Sequence, residues 1–118
     1  MPGFMLLLYQ SPSKFKDISP EDIQRIIGKY KDWREDLVRR NKLRGGEKLT
    51  DDGGSRLQLH GGDVSVTDGP YSETTEVLGG YFVIEAANYE EALQIARTCP
   101  HLVGTQRIEV RQIDAIHQ

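Results

Sequence analysis

A chain of 118 residues suits a single domain (1–118) with a real hydrophobic core, and 37% apolar against 28% charged residues excludes a disordered or membrane-embedded composition. A net charge of -3 argues against general nucleic-acid binding, which needs a basic face. The lone Cys99 leaves no internal disulfide to form.

The first element is the apolar run Phe4-Met5-Leu6-Leu7-Leu8-Tyr9, which reads as a central strand apolar on both faces. It is too short to cross a bilayer and lacks the basic flank and small-residue cleavage site of a signal peptide, so a cytoplasmic protein without membrane contact is expected. Ser11-Pro12-Ser13 breaks the strand. Ser19-Pro20-Glu21-Asp22 then carries the marks of a helix start: a hydroxyl cap, a proline in the first turn and acids behind it. Ile23, Ile26, Ile27, Tyr30, Trp33 and Leu37 recur every three or four residues, so one stripe of this helix faces a core, and Gly45-Gly46 is expected to end it. Arg34, Arg39, Arg40, Lys42 and Arg44 fall near that end, where cations suit the helix dipole and need no nucleic-acid partner.

After a polar, glycine-containing loop over residues 50–54, Arg56-Leu57-Gln58-Leu59-His60 and Asp63-Val64-Ser65-Val66-Thr67 alternate apolar and polar around Gly61-Gly62, predicting a β-hairpin. The 68–76 stretch, Asp68-Gly69-Pro70-Tyr71-Ser72-Glu73-Thr74-Thr75-Glu76, fixes a turn and then presents hydroxyls and carboxylates. An apolar strand follows over residues 81–86. Asn88 with Glu91 three residues on resembles a capping box for a short helix carrying Ala92, Leu93, Ile95 and Ala96, which Pro100 closes. Arg107-Ile108-Glu109-Val110-Arg111 alternates as a last strand.

Two helices against one largely antiparallel sheet, with an added hairpin, predict an α+β sandwich of ferredoxin-like type. Helices on one face leave the other bare. Because Tyr9, Phe82 and Ile84 lie on strands that look apolar on both sides, that face is expected to meet a second copy of the chain as a homodimer.

The 68–76 stretch followed by Gly79-Gly80-Tyr81-Phe82, together with Glu91-Ala92-Leu93, Cys99-Pro100, Ile108-Glu109-Val110-Arg111 and Gly45-Gly46-Glu47-Lys48-Leu49, resembles the YCII-related proteins, in the branch called the DGPF domain. The resemblance covers almost the whole chain. It implies a ferredoxin-like fold pairing as a dimeric α+β barrel, and it implies little about chemistry, most members being uncharacterised. Some members carry sigma-factor-like or other domains besides. For the wider family a catalytic His/Asp pair has been proposed, with its histidine on the first helix. This chain has no histidine between Ile18 and Leu43, so only the acid, Asp68, is available for that role.

Asp68 is thus the candidate catalytic residue: burial that raised its pKa would make it a general base. Its structural reading is to hydrogen-bond the amides of its own turn. Candidate ligand-binding residues are His60, Pro70, Tyr71, Ser72, Glu73, Thr74 and Glu76. Ser72 and Thr74 can orient a ligand, but no Gly-x-Ser-x-Gly or Ser-x-x-Lys motif equips them as nucleophiles. Glu73 and Glu76 share a face only if the segment turns helically. His60, Asp63 and Asp68 together offer one nitrogen and two oxygens, yet match no zinc or calcium signature, and no metal is expected. Gly61-Gly62 and Gly79-Gly80 pair with no lysine and open no helix, so they are not phosphate loops, and no cofactor is implied. His101 and His117 carry no motif, and Tyr30 and Trp33 read as core. Two functions remain open: a small-molecule binder with acid-base activity beside the 68–76 loop, and a non-catalytic regulatory or structural dimer.

Overall fold

The computed structural model describes residues 1–11, 18–69 and 76–115. The element order is β1 (Gly3–Gln10), α1 (Pro20–Arg39), β2 (Leu43–Lys48), β3 (Ser55–His60), β4 (Asp63–Asp68), β5 (Val77–Glu85), α2 (Tyr89–Arg97) and β6 (Arg107–Gln112). It is a mixed α+β fold with antiparallel sheets. Four strands form one sheet in the order β2-β5-β1-β6, and β3-β4 form a separate two-stranded sheet. None of the described helices is long and apolar enough to cross a membrane.

Helix α1 starts as its sequence requires: the Ser19 hydroxyl accepts from the Asp22 amide at 3.2 Å, with Pro20 in the first turn. Its end differs from the expectation. Gly45-Gly46 does not stop the helix. The chain leaves the helix after Arg39, and Asn41 takes φ +56°, while Lys42 N–H donates to Leu37 O and Asn41 N–H to Val38 O. This is a Schellman closure with asparagine in the left-handed position. The two glycines lie instead in β2, an edge strand that pairs antiparallel with β5. A Cβ on Gly46 would sit 2.6 Å from the Tyr81 carbonyl oxygen and from the Phe82 ring, so close strand approach explains that glycine.

The helices pack on one face of the sheet. Phe4, Leu6, Leu8, Phe82 and Ile84 point into that layer and meet Trp33 and Leu37 of α1 and Ala92, Ile95 and Ala96 of α2. Trp33 packs edge-on against Phe82 with centroids 4.9 Å apart, and its indole N–H donates to the Thr98 hydroxyl at 2.9 Å. The Asn88 side chain caps α2 by accepting from the Glu91 amide at 2.9 Å. The Glu91 carboxylate accepts from Lys42 at 2.9 Å, which holds it below the usual carboxylate range and ties α2 to the start of β2.

Strand alternation divides the expected two-sided apolar surface. Phe82 and Ile84 are buried under the helices, whereas Tyr9 lies on the opposite face with Met5 and Leu7. That second face carries no helix. Tyr81 and Val83 sit opposite Leu7 and Met5, and Leu78 opposite Tyr9 after a bulge that inserts Gly79.

Candidate functional site

Helix α1 buries only its C-terminal half: Trp33 and Leu37 are in the core, while Ile23 and Ile27 are 40% and 54% exposed. Between its N-terminal half and the sheet lies a groove of about 1380 Å³. Ile23, Ile26 and Ile27 form one wall, and Leu8 and Phe82 the floor. Gly46, Gly79 and Gly80 leave that floor bare of side chains where β2, β5 and β1 meet.

Polar groups gather at one end. His101 is 2% exposed and follows α2 through Pro100. Its Nε2 lies 2.8 Å from the carbonyl oxygen of Tyr9, which can only accept, so Nε2 carries the proton. Nδ1 is therefore the acceptor of a neutral ring, and two donors converge on it: Gln106 Nε2 at 3.0 Å and the Tyr30 hydroxyl at 3.2 Å. The Gln106 amide also donates to His101 O at 2.8 Å, which fixes its orientation, because a flipped amide would set two oxygens against each other. Its Oε1 is left buried with no partner among the described residues. Burial, then the neighbouring Cys99, drives the Tyr30 pKa up, so this phenol stays protonated. Gln10 completes the polar set. It is 8% exposed at the end of β1, and its amide reaches toward Asp51 at 3.5 Å. The absence of a Cβ on Gly79 makes room for it, since one would lie 2.6 Å from Gln10 Cδ.

A second depression, about 590 Å³, adjoins the first and shares Gln10, Asp51 and Gly79 with it. Gly54, Arg56 and Glu76 line its far side. Asp52 closes the loop beneath, accepting from the Gly54 amide at 3.0 Å and the Thr50 hydroxyl at 2.9 Å, contacts that lower its pKa.

The residues expected from sequence are spread over this region. Asp68 ends β4, where its carboxylate accepts from the Ser55 hydroxyl at 3.0 Å across the hairpin base. The following amide, Gly69 N–H, donates to Gly54 O at 2.6 Å and joins that base to the smaller depression. His60 pairs with Asp63 at the hairpin tip, where Gly61 and Gly62 both take positive φ as a tight reverse turn requires. Five residue steps separate the pair from Asp68, about 17 Å of strand, so the three do not converge. Among the described residues no group of His, Cys, Asp and Glu could hold a metal ion. Glu76 pairs with Arg107 at 2.8 Å, and that guanidinium stacks 4.2 Å over the Tyr9 ring on the bare face of the sheet. Pro70, Tyr71, Ser72, Glu73 and Thr74, like His117, lie outside the described residues.

Sequence reasoning missed His101, Gln106 and Gln10 and assigned Tyr30 to the core alone. One signal was available. Gln10 continues the buried parity of Phe4, Leu6 and Leu8, so a polar group was due inside the layer. Nothing near His101 or Gln106 in sequence announces that they meet Tyr30.

An antiparallel sheet with helices on one face only, and a glycine-floored groove between helix and sheet, define an α+β protein with a built cavity. The family model for the YCII-related domain matches residues 3–114, and the chain belongs to that family. It is also 30% identical over 95 residues to an uncharacterised protein of Rhizobium meliloti (strain 1021), covering 80% of this chain and 77% of that protein.

Proposed function

We propose that this YCII-related protein binds a small molecule in the groove between α1 and the sheet, extending through Gln10 into the depression beside Gly54 and Glu76. The observation that carries this reading is the construction of the groove. Gly46, Gly79 and Gly80 line it without side chains of their own, one helix flank leaves isoleucines facing it, and buried polar groups stand at one end. We further take the strand order β2-β5-β1-β6, with both helices on one face, as a ferredoxin-like unit of the DGPF branch that pairs through its bare sheet face as a dimeric α+β barrel. A cytoplasmic location belongs to the same reading. Acid-base chemistry is the catalytic extension, with Asp68 at the hairpin base, or a glutamate, as the acid group and the 68–76 loop completing the ligand contacts.

The test is a metabolite screen on the purified chain by thermal shift, followed by recovery of each hit. A hit that raises the midpoint and is recovered unchanged supports a binding module. A hit that is converted supports an enzyme, and Asp68→Asn then decides whether that carboxylate takes part. Hits whose binding leaves the α1 and β5 amide resonances unmoved would overturn the groove as the site.

A further inference from the structure

We infer that the α1 groove takes a small apolar carboxylic acid, whose carboxylate is held by the Tyr30 hydroxyl and the Arg34 guanidinium. The inference rests on the groove being the ligand site and adds the chemistry of what enters it. His101 Nδ1 offers a single in-plane lone pair, yet two donors reach it. Gln106 is the nearer, is buried, and is held a second time by His101 O, so it cannot leave. Tyr30 is the surplus donor. It lines the groove, and its hydroxyl proton can turn to an acceptor there without stranding the imidazole nitrogen. His101 and Gln106 therefore act as positioning residues, and Tyr30 touches the ligand.

Arg34 lies one helical turn beyond Tyr30, lines the same groove and makes no ion pair with a described residue. Side chains at this spacing stand about 5–6 Å apart at Cβ, so a hydroxyl and a guanidinium can close on the two oxygens of one carboxylate. Lys29 and Lys31 also line the groove. The lining cations Lys29, Lys31, Arg34, Arg39 and Lys48 outnumber the lining acids Glu35, Glu47 and Asp51, of which Asp51 is paired with Lys48, and Arg34 is exposed like Glu35 and Glu47. The remaining wall and floor are the isoleucines, Leu8 and Phe82, which suit a hydrocarbon or aromatic body. The Arg34 guanidinium and the neutral Tyr30 hydroxyl are the pair one helical turn apart, and one charge set against one charge suits a monoanionic carboxylate, with Lys29 and Lys31 on either side of Tyr30 in the chain.

The experiment is a titration of the full chain, followed by amide NMR and calorimetry, with three probes: phenylacetate, its neutral isostere phenylacetamide, and phenyl phosphate. Phenylacetate is expected to move the Ile23 and Ile27 amides and to bind about tenfold more tightly than the amide, one hydrogen-bonded charge being worth at least that ratio. Arg34→Gln should erase the preference. Tyr30→Phe should weaken the acid about tenfold and leave the amide unchanged. Gln106→Leu, checked for folding by circular dichroism, should weaken the acid without touching it, because His101 Nδ1 then keeps the Tyr30 proton. Equal binding of acid and amide overturns the carboxylate inference and leaves the groove standing. Tighter binding of phenyl phosphate overturns the choice of monoanion. No movement of the α1 amides with any probe overturns both the inference and the groove.

Discussion

Burial pushes the Cys99 thiol up to about 11, although an N–H of His101 draws it part of the way back. The folded state therefore favours the neutral thiol. Stability from this group is complete below its ordinary value of 9.0 and is lost as the pH rises through the folded value. Tyr30, raised for the same reason, adds to the loss at still higher pH. Cys99→Ala is expected to flatten the fall in Tm between pH 9 and pH 11 relative to the parent chain, measured by calorimetry in matched buffers. Equal slopes would show that the thiol ionises outside the folded core. Gly46 gives a second prediction at this scale. An alanine Cβ there meets backbone at 2.6 Å, which cannot swing away, so Gly46→Ala should cost about 1–3 kcal/mol in urea unfolding. Gly79→Ala should cost less, because the atom it meets belongs to the movable Gln10 side chain. The two glycines look alike in sequence. What separates them is the backbone of a residue 35 positions away in one case and the tip of a flexible side chain in the other. The same distance in sequence hid the site: Tyr30 and His101 are 71 positions apart, and their hydrogen bond leaves no local pattern.

At the scale of elements, α1 and α2 and the buried strands were legible because each carries its own period and cap. Strand β2 was not, since Leu43-Arg44-Gly45-Gly46-Glu47-Lys48 has no alternation and looks like a helix stop followed by a loop. Its pairing is decided by β5, which offers an edge at a place where only glycine lets the chain approach. The hairpin was read correctly from its turn, but it stands apart from the main sheet as its own pair of strands. Leu57 opposes Val66 and Leu59 opposes Val64 on one of its faces, and all four are more than half exposed. Helix α1 illustrates how caps and packing divide the work along one element. Its C-terminal half is held by Trp33 and Leu37, and its N-terminal half rests on the Ser19 cap and partly exposed isoleucines. Ser19→Ala is expected to cost about 0.5–2 kcal/mol, and the loss should fall on the first turns. Hydrogen exchange is the measure: the Ile26 and Ile27 amides should exchange faster while the Leu37 amide holds its protection. Uniform acceleration along α1 would mean that the helix opens as one unit.

For the whole molecule, the radius of gyration is 16.3 Å, against about 13.5 Å for a compact chain of this length. The extents of 48 × 44 × 19 Å describe a slab, one sheet thick with a single layer of helices and a hairpin projecting beyond it. A slab of this kind leaves apolar area on both sides. The groove accounts for one side. On the other, Met5, Leu7, Tyr9, Tyr81 and Val83 form a stripe down β1 and β5, with Leu78 at its end. Arg107 with Glu76 and Glu109, and Arg44 with Glu85, stand around it already paired within the chain. Arg111 opposite Met5 and Glu47 opposite Tyr81 stand on the same face by register, so the stripe is an apolar centre with a charged rim, the surface that the proposed homodimer would bury. Leu7 sits in the middle of the stripe, between Tyr81 on one neighbour strand and Glu109 on the other. A glutamate there would bring an unpaired carboxylate into the centre of a dry interface, opposite an acid of its own chain, at a cost of several kcal/mol to the dimer. The helix-side core, built on Phe4, Leu6 and Leu8, would keep its packing. If the chain pairs as proposed, it runs at twice the 13.3 kDa chain mass by light scattering, and Leu7→Glu should bring it to single mass with the far-ultraviolet circular dichroism unchanged. A parent chain that already runs at single mass across the micromolar range would remove the bare face as a subunit interface.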